Sequence, residues 1–212
     1  SKGVEKRTKV KTRIMASALS ELIGTAENVL IMGHQFADLD CLGSAVGMYK
    51  AVRQMGKPAA VVLNRQRNLA FPLYNRLAQN GYADAFVEPD LAIDLIGKKT
   101  LLVVVDTHLP HILESREVYS ACKTVAVIDH HRKMVGHIDN AVIFYHEPYA
   151  SSASEMVTEL VQYFGDHVKI GKMEAEALLS GIMLDTKNFV MKTGVRTFEA
   201  AAYLRKQGAD TV

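Results

Sequence analysis

The sequence predicts an α/β domain, a mainly parallel β-sheet flanked by helices, preceded by a basic N-terminal helix. Three observations carry this. After Gly24, short apolar runs alternate with stretches of helical periodicity. Those runs are continuous and rich in Val, Ile and Leu, as strands buried on both faces are. Three of them also stop on metal-binding side chains. Val29–Gly33 leads into His34, Leu101–Val105 into Asp106, and Thr124–Ile128 into Asp129-His130-His131. Parallel sheets deliver chemistry at the carboxyl ends of their strands, so three such endings point to one site.

The elements follow in order. The first 13 residues carry Lys2, Lys6, Arg7, Lys9, Lys11 and Arg13 against Glu5 alone. From Val10, the apolar positions Val10, Ile14, Leu22 and Ile23, with Ala18 between them, fall at helical spacing up to Gly24. Residues 1–24 are therefore expected to form a connector helix with a solvated face, and residues 25–212 one domain. Strands are expected at Asn28–Met32, Pro58–Leu63, Thr100–Asp106, Thr124–Asp129 and Ala141–Phe144, with a short addition at Ala83–Val87. Helices are expected at Leu42–Met55, Leu73–Gln79, Leu91–Ile96, Ser154–Phe164, Lys172–Leu184 and Arg196–Lys206. Asn80-Gly81 and Ile96-Gly97 read as helix stops.

Composition narrows the class. A chain of 212 residues, 49% hydrophobic and 23% charged, can bury a proper core. A net charge of +2 gives no general pull toward polyanions, and no stable nucleic-acid complex is expected. Cys41 and Cys122 form no CxxC pair and read as buried reduced thiols. No apolar stretch approaches membrane-span length, so no membrane contact is expected from this segment. The start without Met suggests a piece of a larger protein.

Within seven residues, His34 to Asp40 place one imidazole and two carboxylates, Asp38 and Asp40, just past a strand. Close carboxylates repel unless protonated or bridged by a cation. The competing reading is a capped turn with Asp38 or Asp40 as N-cap. Gly43, Ser44 and Gly47 follow in a small-residue helix start whose free N–H groups could face a phosphate. Asp106 ends a buried strand, where a carboxylate needs a partner or a metal. In the triplet His130 is the metal-ligand candidate, Asp129 could orient it, and His131 could face substrate. Asp185 follows the helical stretch Met173–Leu184, where a carboxylate opposes the helix dipole unless a cation is near.

His34, Asp38, Asp40, Asp106, His130 and Asp185 offer oxygen and nitrogen and no sulfur. That mixture suits Mn²⁺, with Fe²⁺, Co²⁺ or Mg²⁺ as alternatives. Six donors exceed what one ion open to water and substrate needs. Two ions about 3.5–4 Å apart with a bridging carboxylate would use them all, and such a pair serves phosphoester or phosphoanhydride hydrolysis. Ser151, Ser152 and Ser154 read as caps of the next helix, with a substrate phosphate contact by Ser152 and Ser154 as the sharper alternative. Arg116, Arg132 and Arg196 are candidate phosphate binders. His108, His111, His137, His146 and His167 read as surface or loop residues.

The HxxxDxD stretch, the strand-end Asp, the Asp-His-His triplet and the downstream Asp, in this order over Val29 to Asp185, resemble the DHH/DHHA1 phosphoesterase superfamily. Gly33 to Ser44, Ser151 to Met156 and Gly181 to Phe189 are similar to its GdpP-type cyclic-di-AMP phosphodiesterases, as is the opening Ser1–Arg7. The resemblance implies two Mn²⁺, the first on His34, Asp38 and Asp106, the second on Asp40, Asp106, His130 and Asp185. It implies that His131 contacts the substrate phosphate or leaving group and that Asp129 supports the triplet. It implies hydrolysis of a cyclic dinucleotide, cyclic di-AMP, to linear pApA, in a cytoplasmic domain of a membrane-anchored bacterial protein. A C-terminal DHHA1 domain that grips the nucleotide would follow; its GGGH motif is not in this sequence, which has no two adjacent glycines. Homodimerisation stays open. Alternatives are a nanoRNase or pyrophosphatase of the same superfamily and, in another class, a non-catalytic metal- and nucleotide-binding regulatory module.

Overall fold

The computed structural model describes residues 2–210. Ser1, Thr211 and Val212, the outer ends of the two expected spans, lie outside the described residues. Six strands, β1 (Asn28–Met32), β2 (Ala59–Val62), β3 (Phe86–Val87), β4 (Thr100–Val105), β5 (Thr124–Asp129) and β6 (Ile143–His146), form one sheet in the order β3-β2-β1-β4-β5-β6. Every neighbouring pair is parallel. The chain returns to β1's free edge with β4 after laying down β2 and β3 on the other side. The order therefore reverses between β1 and β4, and a crevice opens above their carboxyl ends.

Side-chain alternation divides the strands between two cores. Val29, Ile31, Leu101, Val103, Val105, Ala126 and Ile128 face the larger one, built with α1 (Lys2–Thr25), α2 (Leu39–Gln54), α6 (Ala153–Val161), α7 (Lys172–Thr186) and α8 (Val195–Lys206). Leu30, Met32, Leu102, Val104, Val125 and Val127 face the smaller one, with Ala92 of α4 (Pro89–Asp94) and Val118 of α5 (Arg116–Ala121). Burial on both faces explains the unbroken apolar runs. A short α3 (Phe71–Leu77) precedes β3.

Several expectations shift. The last strand lies two residues later than Ala141–Phe144, because Ala126↔Ile143 to Asp129↔His146 is the pairing that continues β5. The Ala83–Val87 strand shrinks to Phe86–Val87 behind a 3-10 turn over Ala83–Ala85. The six-residue α5 had too short a period to be read. Asn80-Gly81 does end the α3 region, with Gly81 at φ +94°. In α1 the buried stripe is Thr12, Ala16, Leu19 and Ile23, and Val10 and Ile14 of the expected stripe are exposed. The helix leans on the domain through α6 and β6, with Thr12 Oγ1 3.1 Å from the Tyr145 hydroxyl and Lys11 Nζ 2.7 Å from Glu147.

Gly43 and Gly47 serve packing rather than phosphate. A Cβ on Gly43 would stand 2.3 Å from the Ala177 carbonyl oxygen of α7, and one on Gly47 would stand 2.8 Å from Leu178. Small residues here let α2 and α7 approach closely.

Candidate metal centre and active site

The six residues singled out as metal ligands meet at the carboxyl ends of β1, β4 and β5, supplemented by α2 and α7. His34 leaves β1, and its Nδ1–H donates to the Gln35 carbonyl at 2.7 Å, which turns Nε2 toward the site. That Nε2 lies 3.2 Å from Asp106 Oδ2 and 3.7 Å from Asp38 Oδ1. Asp38 fills the N-cap role of α2, accepting from the Cys41 N–H at 2.9 Å, and also stands next to His34.

Asp40 sits in the first turn of α2, fully buried. Its Oδ1 accepts from the Ser154 N–H at 2.8 Å and its Oδ2 from the Ala153 N–H at 3.0 Å, so it occupies the positive end of α6. Oδ2 also lies 3.4 Å from His130 Nε2. Asp185 belongs to the last turn of α7 rather than lying beyond it, and its Oδ2 is 3.2 Å from the same nitrogen. The dipole conflict expected there would be relieved by a cation held at this group.

Asp106 joins the two halves. Its Oδ2 faces His34 Nε2 and its Oδ1 faces His130 Nε2, each at 3.2 Å. The residue is 2% exposed and adopts φ +63°, a left-handed conformation that turns the carboxylate into the crevice at the strand end.

Crowding of acids shows in their proton affinities. Burial raises the pKa of Asp40, Asp38 and Asp185, and neighbouring carboxylates add to it. Burial opposes a charge on His130, yet its hydrogen bonds with Asp106, Asp185 and Asp40 prevail and push its pKa up to about 12. His34 rises to about 12 against burial as well, through Cys41 and Asp106. Four carboxylates thus crowd around two imidazoles where a divalent cation would be at home. Three donor groups lie within mutual reach: Asp40, Asp106, His130 and Asp185; His34, Cys41 and Asp106; and Asp106, Asp129, His130 and His131. This donor set, oxygen and nitrogen with Asp106 common to all three groups, fits hard or borderline divalent cations.

The triplet differs in one respect from its expected form. Asp129 accepts from His131 Nδ1–H at 2.8 Å and pairs with His108 Nδ1 at 2.5 Å, so it orients His131 rather than His130. Burial works against the Asp129 charge, but the bonds from His131 and His108 hold its pKa down at about 2. The bond to Asp129 raises the pKa of His131, which is half-exposed.

Other expectations fall differently. Ser152 caps α6 through the Glu155 N–H at 3.0 Å, and the Ser154 hydroxyl donates to the Asp40 carbonyl at 3.3 Å. Both are fully buried, so the structure displays the capping role. Arg196 is not a free phosphate binder; it makes a fork on Glu159 at 2.9 and 2.6 Å. His111 and His167 are exposed as expected, but His108 is 1% exposed and inside the site's support. His146, half-buried in β6, donates its Nε2–H to the His131 carbonyl. The sequence signal for His108 was its place just past the end of β4, as His34 and His130 lie past β1 and β5. Cys41, read only as a thiol, borders His34 and Asp106.

The profile of the DHH family, N-terminal domain, matches residues 28–182. The chain belongs to the DHH family. Whole-chain relatives agree. It is 46% identical over 213 residues to the cyclic-di-AMP phosphodiesterase GdpP of Geobacillus thermodenitrificans. It is 42% identical over 214 residues to the cyclic-di-AMP phosphodiesterase PdeA of Listeria monocytogenes. Each match covers 99% of this chain and 32% of the relative, so the chain spans about a third of the length of these curated proteins. Among solved structures, an exopolyphosphatase-related protein from Bacteroides fragilis shares the fold, with TM-score 0.77 and 21% identity over 93% of this chain and 57% of that one. This DHH chain has no helix among its described residues long and apolar enough to cross a membrane.

Proposed function

We propose that this chain is the catalytic domain of a cyclic-di-AMP phosphodiesterase that opens the cyclic dinucleotide to linear pApA with two divalent ions, Mn²⁺ foremost. The observation that carries it is Asp106, one carboxylate divided between His34 and His130. The 42–46% identity to phosphodiesterases of that name over the whole chain supports the substrate.

In this reading His34, Asp38 and Asp106 hold the first ion and Asp40, Asp106, His130 and Asp185 the second. Bound there, the ions would supply water activated at neutral pH and neutralise charge on the phosphoryl oxygens. The chain's own residues do the rest. Asp40 anchors the crevice to α6, and Asp129 fixes His131 by its Nδ1, leaving Nε2 to meet the phosphate or the departing 3′ oxygen. In the same reading a further domain grips the nucleotide and the whole protein is membrane-anchored with this part in the cytoplasm; the threefold greater length of the relatives leaves room for such parts.

The test is turnover of cyclic di-AMP, pApA and pyrophosphate with Mn²⁺, by this chain and by a version extended to the length of its relatives. Formation of pApA from cyclic di-AMP as the preferred reaction supports the proposal. Preference for pApA or pyrophosphate would move the assignment within the family. Binding with no product on prolonged incubation would indicate a regulatory module.

A further inference from the structure

His108 is buried beneath the site and makes three hydrogen bonds. Its Nδ1 lies 2.5 Å from Asp129 Oδ2, its Nε2 receives the Met134 backbone N–H at 3.0 Å, and its carbonyl receives the Ile138 N–H at 2.8 Å. A backbone N–H can only donate, so Nε2 carries no proton. The single proton of the neutral ring is therefore on Nδ1 and is donated to Asp129. Asp129 in turn accepts from His131 Nδ1–H through its other oxygen, at 2.8 Å. One fully buried carboxylate thus serves two imidazoles, of which only His131 reaches solvent. Rings of His146, Phe144 and His137 surround His108 with centroids 5.7, 6.3 and 6.4 Å away, which closes the space around it.

We propose that His108 is a positioning residue for the active site: it locks Asp129 in the orientation that presents His131 Nε2 to the substrate. Without His108, Asp129 Oδ2 is a buried acceptor with no donor, and the carboxylate regains rotation about its Cβ–Cγ bond. His131 then loses its fixed tautomer and its aim. The grip on Met134 and Ile138 ties the same lock to the loop that follows the triplet. This inference rests on the phosphodiesterase reading for its kinetic test and not for its spectroscopic one.

Three variants separate positioning from simple filling of space. H108F keeps the ring's bulk with no hydrogen bond, H108N restores a donor near the place of Nδ1, and H108Q reaches only toward Nε2. With Mn²⁺ and cyclic di-AMP, H108F is expected to lower kcat about 10–100-fold, the scale of outer-shell partners of metal-site ligands. KM and metal stoichiometry should stay within twofold. H108N should recover most of kcat and H108Q should not. An unchanged kcat in H108F, an effect on KM alone, or equal rescue by Asn and Gln would overturn the proposal. A wild-type chain without turnover would count against the phosphodiesterase reading only. Proton NMR of the Mg²⁺-loaded or metal-free protein then decides: hydrogen-bonded imidazole N–H resonances of His108 and His131 are expected beside those of His34 and His146. Loss of the His131 resonance in H108F, and its return in H108N, supports positioning; a His131 resonance unmoved in H108F refutes it.

Discussion

A Cβ on Gly181 would stand 2.2 Å from the hydroxyl oxygen of Ser154, so α7 touches α6 at a point where only glycine fits. The same Cβ would lie 2.9 Å from the Asp40 Cα. This contact sets the distance between Asp40 and Asp185, the acids that flank His130 from α2 and α7. Gly181→Ala gains up to about 1 kcal/mol of helix propensity. Overpacking costs about 1–3 kcal/mol and wins, because part of what must move is backbone. The expected outcome is a chain with a lower denaturation midpoint and weaker Mn²⁺ binding by calorimetry. An alanine variant with both properties unchanged would show that the helices can part freely.

Among the described residues Asp106 is the one acid that borders both His34 and His130, so the proposed two-ion reading expects Asp106→Ala to disturb both ions and Asp38→Ala the first alone. The expected result is a loss of more than about 100-fold in affinity at both sites for Asp106→Ala, beyond the effect of removing an outer-shell partner. Titration of the metal-free protein with Mn²⁺ reads the stoichiometry directly. Two wild-type binding events surviving in Asp106→Ala would refute the shared site.

Metal should also stabilise the fold. The acids of the site repel one another when ionised, which is why burial and neighbouring charge raise the pKa of Asp40 and Asp185. A ligand bound only by the folded state adds about 2.7 kcal/mol at one hundred times its Kd. For a chain of this size that is a rise of roughly 5–10 °C in Tm. Thermal scans with and without Mn²⁺, reversed by chelator, measure it.

Arg196 and Glu159 form a two-bonded pair at the α6–α8 seam, with side chains 17% and 14% exposed. Burial raises the Glu159 pKa even with Arg196 beside it. Arg196→Ala would leave that carboxylate desolvated and alone, at a cost of about 3 kcal/mol. Arg196→Ala combined with Glu159→Gln should recover much of the loss. Urea denaturation of the two single variants and the double variant closes the cycle.

Cys122 gives a pH signature away from the site. Burial pushes its thiol from 9.0 up to about 11. Because the folded value lies above the unfolded one, its contribution to stability is complete below pH 9.0 and is lost as pH rises toward about 11. At pH 8 the thiolate fraction should be about 100-fold below that of an unfolded thiol, and alkylation correspondingly slow. Rapid labelling of Cys122 in the native protein would contradict its buried placement.

The sequence by itself determined the parallel α/β class, four of the strands to within a residue at either end, and the six residues that gather at the crevice. Those are local properties: an apolar run buried on both faces, and a polar side chain at the residue where the run stops. Tertiary structure decided which partner each polar group takes. Asp40 looked like a loop acid and proved to lie on the N-terminus of α6, a helix 113 residues away along the chain. Arg196 looked like a phosphate binder and is held by Glu159. Asp129 was expected to steer His130 and instead joins His131 to His108, a residue the sequence left on the surface. The reason is physical. Desolvation compels a buried donor or acceptor to find a partner, but the strand order that brings β4 beside both β1 and β5 selects which one it finds.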